Sequence, residues 1–245
     1  PQGLHKWIAW ARRREDHRPP PSFSQRFDVQ VRDVDGSPVY EIRPKAVRSR
    51  LHLLYLHGGG YFFGSPKTHR QIIIGMAKVF GGPGYGLDYR LAPEHPFPAA
   101  VEDATAAYRW LTERHPTADI VLAGDSAGGG LAAVTAVAAR DTGLKKPAAL
   151  VLFSPWSDLA VSGRSIELNA KSCAMFTPRG IREGAALYLA GADPRDPRAS
   201  PLYADLRDLP PTQIFVSRHE ILLDDSVRFA RALHAASVPT ELIMQ

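Results

Sequence analysis

A serine hydroxyl becomes a useful nucleophile only when its backbone exposes it and a neighbouring base takes its proton. The stretch Gly124-Asp125-Ser126-Ala127-Gly128 places a serine at the centre of a glycine-bracketed turn. The apolar run Ile120 to Ala123 leads into it and small residues from Gly129 lead out. Strand, sharp turn and helix in that order hold such a serine in strained geometry with its hydroxyl exposed. Gly124 and Gly128 leave room for strand and helix to approach closely. The helix start beneath Ser126 favours negative charge, and the Ala127 N–H is expected to donate to an oxyanion. The chemistry implied is attack on an acyl carbonyl. Asp125, adjacent to the nucleophile, cannot easily reach the far side of an imidazole and is not expected to act as the acid of a triad. The competing reading, a glycine-rich turn in an unrelated α/β protein, lacks a reason for the strand before and the helix after.

A second cluster, His57-Gly58-Gly59-Gly60, directly follows the apolar run Leu51 to Leu56. A tetrahedral oxyanion needs backbone donors aimed at it, each worth roughly 3–4 kcal/mol of barrier. Glycines bring such donors close with no side chain in the way. Gly58 and Gly59 are therefore the expected oxyanion donors alongside Ala127, with His57 anchoring the loop. No phosphate-binding pattern accompanies these glycines: neither G-x-x-x-x-G-K-[ST] nor a G-x-G-x-x-G after a strand occurs. The glycine-rich segment Gly81 to Gly86 precedes a strand, the wrong order for cradling phosphate, so nucleotide binding is not expected. Cys173 lacks any local nucleophile signature.

The elements that must position these groups alternate along the chain. Apolar runs read as strands at Leu51 to Leu56, Tyr85 to Asp88, Ile120 to Ala123, Ala149 to Phe153, Thr212 to Val216 and Thr240 to Met244. Helix-length segments lie between them at Thr68 to Val79, Ala100 to Arg114, Gly129 to Arg140, Arg179 to Ala190 and Asp225 to Ala236. That alternation predicts an α/β fold, a mostly parallel central sheet with helices on both faces. Phe27 to Val31 and Val39 to Ile42 flank the turn signal Asp35-Gly36 as two further, half-buried strands. Ahead of them, Leu4, Ile8 and Trp10 suggest a short helix to about Arg13, and Pro19 to Pro21 a linker. Residues 1–25 are read as a small, partial N-terminal helical cap and 26–245 as the catalytic domain.

The 245 residues suffice for one large domain with a sizeable core. The formal charge of +5 is spread over scattered basic residues such as Arg12 to Arg14 and Lys145-Lys146, so no nucleic-acid partner is expected. A single cysteine fits a reducing compartment. Neither a membrane-span-length apolar stretch nor a signal-peptide pattern is present, and a cytoplasmic location is expected. Both ends read as incomplete, the chain starting at Pro1 and stopping at Gln245 in an apolar run.

Together, His57-Gly58-Gly59-Gly60, the stretch Asp88-Tyr89-Arg90-Leu91-Ala92-Pro93-Glu94 and Gly124-Asp125-Ser126-Ala127-Gly128 resemble the bacterial hormone-sensitive-lipase-like esterases of the α/β-hydrolase superfamily. The resemblance runs from about Val39 to the end. It implies carboxylesterase activity on short- to medium-chain acyl esters, no cofactor or metal, a helical cap over the pocket, and a homodimer through an edge strand. Arg90 and Glu94 are expected in structural ion pairs. The fold's order of serine, acid, histidine puts the acid just after Thr212 to Val216. There Glu220-Ile221-Leu222-Leu223-Asp224 is similar to the family's D-P-L-R-D, with Glu220 in the acid position and the proline absent. Asp224 is the runner-up, Asp224 and Asp225 being read chiefly as caps of the next helix. The base belongs just after Thr240 to Met244, and none of the nine histidines stands there, so the catalytic histidine is expected beyond Gln245. His219, beside the acid, is the alternative base. Two other functions stay open: a small-molecule-binding protein on the same scaffold that has lost turnover, and an amidase or peptidase.

Overall fold

In the computed structural model, whose described residues are 6, 8–13 and 27–245, eight strands form one sheet in the order β1-β2-β4-β3-β5-β6-β7-β8. The hairpin β1 (Phe27–Val34) and β2 (Ser37–Pro44) adds to it antiparallel, turning at Asp35-Gly36 as the sequence suggests. The other six strands are mutually parallel: β3 (Leu51–Leu56), β4 (Gly84–Leu87), β5 (Asp119–Asp125), β6 (Ala149–Phe153), β7 (Thr212–Val216) and β8 (Thr240–Met244). Parallel strands must be linked by crossovers, and helices on the sheet faces supply them.

Alternate residues of each strand serve opposite faces. Leu54, Leu56, Leu122 and Leu152 join a core shared with α2 (Ala99–Arg114), α3 (Ala127–Asp141), α5 (Pro178–Leu189) and α6 (Leu223–Ala235). Leu53, Tyr55 and Ala123 face the other way, against Ile73 and Ile74 of α1 (Pro66–Phe80). The short helix α4 (Ser165–Leu168) and a 3-10 turn at Pro201–Tyr203 were not expected from the sequence, being too short to show a period.

Residues 8–13 are helical and Ile8 is buried in the main core. Arg12 then clamps this stretch onto the loops beneath: it donates to the carbonyls of Phe62 (2.7 Å) and Ala92 (2.8 Å) and pairs with Glu94 (3.0 Å). Leu4 and the linker at Pro19 to Pro21 lie outside the described residues. Arg90 takes Asp103 at 2.7 Å and Glu102 at 3.1 Å, a scaffold role as expected.

His52, at the start of β3, is buried with its ring 5.7 Å from Tyr85 and 4.5 Å from His115. Burial, helped by the neighbouring His115, pushes it down to about 4. The unfolded ring titrates near 6.5, so between roughly pH 6.5 and 4 the unfolded chain binds a proton that the folded one refuses. Stability therefore falls as pH drops through that window and is unaffected by this ring above it. Urea denaturation at pH 7 and pH 4.5 should show a smaller acid loss in His52→Gln than in the parent. Equal losses would remove His52 as a cause.

Candidate active site

β5 runs straight into the turn and α3 begins one residue after the serine. Ser126 sits at φ 53°, ψ −121°, a conformation that costs a non-glycine residue energy and is held only by its surroundings. Those surroundings are specific. The Ser126 N–H donates to the Phe153 carbonyl (2.8 Å), and the Ser126 carbonyl accepts from Trp156 (2.9 Å) and Gly130 (3.1 Å). A side chain on Gly128 would collide with the carbonyls of Leu56 and His57, so glycine is what lets α3 sit against the end of β3.

The loop after β3 turns sharply through Gly59 at φ 121°, where a Cβ would strike the Phe63 carbonyl. The Phe62 and Phe63 amides both donate to the Gly59 carbonyl, at 3.0 and 3.2 Å, and close the turn. His57 is buried, stacked on Tyr89 with centroids 4.1 Å apart, and its Nδ1 lies 2.8 Å from the Gly58 carbonyl. Burial holds this ring down to about 3, so it stays neutral as a loop anchor.

One expectation is corrected here. The Gly58 amide donates to Asp125 Oδ1 at 2.9 Å, so it is engaged within the loop instead of being presented to a substrate. Gly59 and Gly60 both line cavities that reach Ser126, whereas Gly58 lines neither. Asp125 is the hub of this arrangement. Its Oδ1 also accepts from the Tyr55 hydroxyl (2.8 Å), and its Oδ2 faces His69 Nε2 at 3.4 Å. Burial alone would raise its pKa; His69, Tyr55 and the Gly58 amide outweigh that and hold the carboxyl below its ordinary value.

His69 is the residue that sequence reading missed. It lies in the first turns of α1 and lines the cavity at Ser126, yet matches no motif. The only sequence signal is its closeness in the chain to the glycine loop.

Beyond β7 the chain turns, and Glu220 points inward. Its Oε1 accepts from Ser154 Oγ at 2.6 Å and from the Ser217 amide at 2.8 Å. Ser154 is itself held at φ 47° beyond the end of β6. Ser126, Glu220, His69 and His219 line one cavity of about 580 Å³. A second of about 320 Å³ opens from Ser126 between Phe62, Trp156, Phe176 and Ile181. Trp156 and Phe176 thus wall the site, while Tyr188, stacked on Tyr61 at 3.8 Å, belongs to the core.

Asp224 and Asp225 do not cap their own helix. Asp224 Oδ2 accepts from the Ser165 amide (3.1 Å), and Asp225 Oδ2 accepts from the amides of Ser157 (3.0 Å) and Asp158 (2.9 Å). Burial, with Asp158 nearby, pushes the Asp225 carboxyl well up. β8 ends beside the loop that carries Glu220: the Arg218 amide donates to the Gln245 carbonyl at 2.8 Å and the Gln245 amide to that of Val216 at 3.0 Å.

A protein-family model described as the alpha/beta hydrolase fold matches residues 53–245. The chain is 47% identical to an acetyl-hydrolase of Streptomyces hygroscopicus over 80% of its own length, spanning 64% of that relative. It is 36% identical to an esterase of Acinetobacter venetianus over 88% of its length and 72% of that protein. Among solved structures it is similar to a hormone-sensitive lipase from a metagenome library, at TM-score 0.90 and 39% identity, covering 98% of this chain and 80% of that one. No helix among the described residues is long and apolar enough to cross a membrane.

Proposed function

Since the chain belongs to the α/β-hydrolase family, on its hormone-sensitive-lipase-like branch, we propose that it is a carboxylesterase acting through Ser126, Glu220 and a histidine that follows β8. The observation that carries this reading is the shared cavity: Ser126 and Glu220 face one space at the carboxyl end of the sheet, and β8 ends at its rim. An imidazole reaching in from beyond Gln245 would bridge the two.

In the first half-reaction the histidine takes the Ser126 proton as Oγ attacks the ester carbonyl. The carbonyl oxygen becomes an oxyanion, met by the amides of Gly59, Gly60 and Ala127, with α3's N-terminus behind them. Glu220 orients the imidazole and stabilises its cation, which then protonates the departing alcohol. In the second half the same ring takes a proton from water as it attacks the acyl carbonyl, then gives it to Ser126 Oγ as the acyl-serine bond breaks and the acid leaves. The apolar chamber between Phe62, Trp156 and Ile181 suits a short to medium acyl chain, and the larger cavity takes the alcohol and the base. A homodimer through an edge strand would use β1 or β8, the two ends of the strand order.

Release of p-nitrophenol from p-nitrophenyl butyrate tests the assignment, comparing this chain with a version extended past Gln245. Rapid turnover only in the extended form is expected. Equal rates would put the base inside this chain, with His69 and His219 as the groups in the cavity. Inertness of both would favour the ligand-binding alternative, and faster cleavage of the matching anilide would favour an amidase.

A further inference from the structure

Ser165, Asn169 and Ser172 follow at intervals of four and three residues, a spacing that brings all three to one side of a helical path. The backbone keeps to that path beyond α4, with Asn169 N–H donating to the Ser165 carbonyl (2.9 Å) and Ser172 N–H to that of Asn169 (3.1 Å). Each side chain reaches the loop that carries Glu220. Ser165 Oγ donates to the Ile221 carbonyl at 2.6 Å. Asn169 Nδ2 uses both hydrogens, on the carbonyls of Arg218 (3.0 Å) and Glu220 (2.8 Å). Ser172 Oγ donates to the His219 carbonyl at 2.8 Å.

Four consecutive carbonyls, 218 to 221, are thus held by three side chains of one segment. A tight turn leaves its carbonyls without ladder partners, and donors from elsewhere must satisfy them. Here the donors come from the segment that continues directly into Cys173 to Phe176, the wall of the 580 Å³ cavity. The wall that meets substrate and the loop that aims the acid are one connected unit.

We propose that Asn169 is a positioning residue for the acid, holding the Glu220 loop through its two hydrogen bonds and tying it to the cavity wall. The proposal rests on Glu220 being the acid. Asn169 touches neither substrate nor the reacting atoms; it acts on the alignment of Glu220 with the base, and so on kcat more than on KM.

The test uses the version extended past Gln245, with Asn169→Ala, Ser172→Ala and Glu220→Gln assayed in parallel on p-nitrophenyl butyrate across pH. In Asn169→Ala, kcat should fall between about tenfold and a hundredfold, as small misplacements of catalytic groups do, while KM hardly moves. The rising limb of kcat/KM should shift to lower pH, because a misaligned carboxylate stabilises the imidazolium less and lowers its pKa. Ser172→Ala, which removes the bond to the His219 carbonyl at an exposed position, should move both readouts in the same direction by less. It decides the matter if Asn169→Ala does not fold. Parental kcat and pH limb in a folded variant, with Glu220→Gln inactive, would overturn the role of Asn169. Activity retained by Glu220→Gln would instead remove the acid assignment, and the role of Asn169 with it.

Discussion

Ser126→Ala is expected to lower kcat by roughly 10⁵-fold or more, the scale on which removal of a triad serine acts, leaving only residual catalysis from the oxyanion donors. Thermal stability should not follow activity down. The backbone at φ 53° is strained for any residue with a side chain and relaxed for glycine. Ser126→Gly should therefore be as inactive as the alanine variant yet melt higher, by an amount on the order of 1 kcal/mol. The strain is kept because the hydroxyl must project into the cavity, and three backbone hydrogen bonds, to Phe153, Trp156 and Gly130, hold it there. A Ser126→Gly protein melting lower than the parent would mean that the turn is relaxed and the elbow reading is wrong. Substantial turnover in Ser126→Ala would put the nucleophile elsewhere.

Glu220→Gln should cost about 10⁴-fold in kcat with the fold intact, by analogy with neutralising the acid of a serine triad. The amide oxygen can still accept from Ser154 Oγ and the Ser217 amide, so the loop keeps its shape. What is lost is the charge that stabilises the imidazolium and selects its tautomer. Circular dichroism and melting temperature should match the parent while p-nitrophenyl butyrate turnover collapses. If turnover survives, Asp224 is next in line, and Asp224→Asn should then be the variant that loses activity. The geometry already separates the two carboxylates: Asp224 is turned to the Ser165 amide, whereas Glu220 faces the cavity that holds Ser126.

Motifs of consecutive residues were legible because their geometry is local. Gly124 to Gly128 encode a turn, and the turn by itself dictates that Ser126 stands at its tip and that a helix starts directly after it. The parallel strands were equally legible, since burial on both faces demands near-continuous apolar runs such as Leu51 to Leu56 and Thr212 to Val216. His69 and Asn169 were not legible. Each acts through partners far along the chain, Asp125 in one case and the Glu220 loop in the other, and no period or spacing announces such a pairing.

Gly58 marks the boundary most clearly. From the sequence it is one of three equivalent glycines after a strand, and the first two were expected to face the oxyanion. Only the folded loop shows the Asp125 carboxylate already on the Gly58 amide, while Gly59 and Gly60 line the cavities at Ser126, which is why the proposed oxyanion donors move one residue along. Asp224 and Asp225 follow the same logic: acidic residues in a first helical turn suggest a local cap, but loops brought close by the sheet compete for them and win. The sequence by itself determined the sheet-and-helix alternation, the nucleophile turn and the place in the chain where an acid is needed, because these depend on neighbours within a few residues. The tertiary structure decided that the Gly58 amide is taken by Asp125, that Glu220 shares a cavity with Ser126 and which side chains hold the loop of residues 218–221. Those choices depend on hydrogen-bond partners that only long-range packing brings within 3 Å.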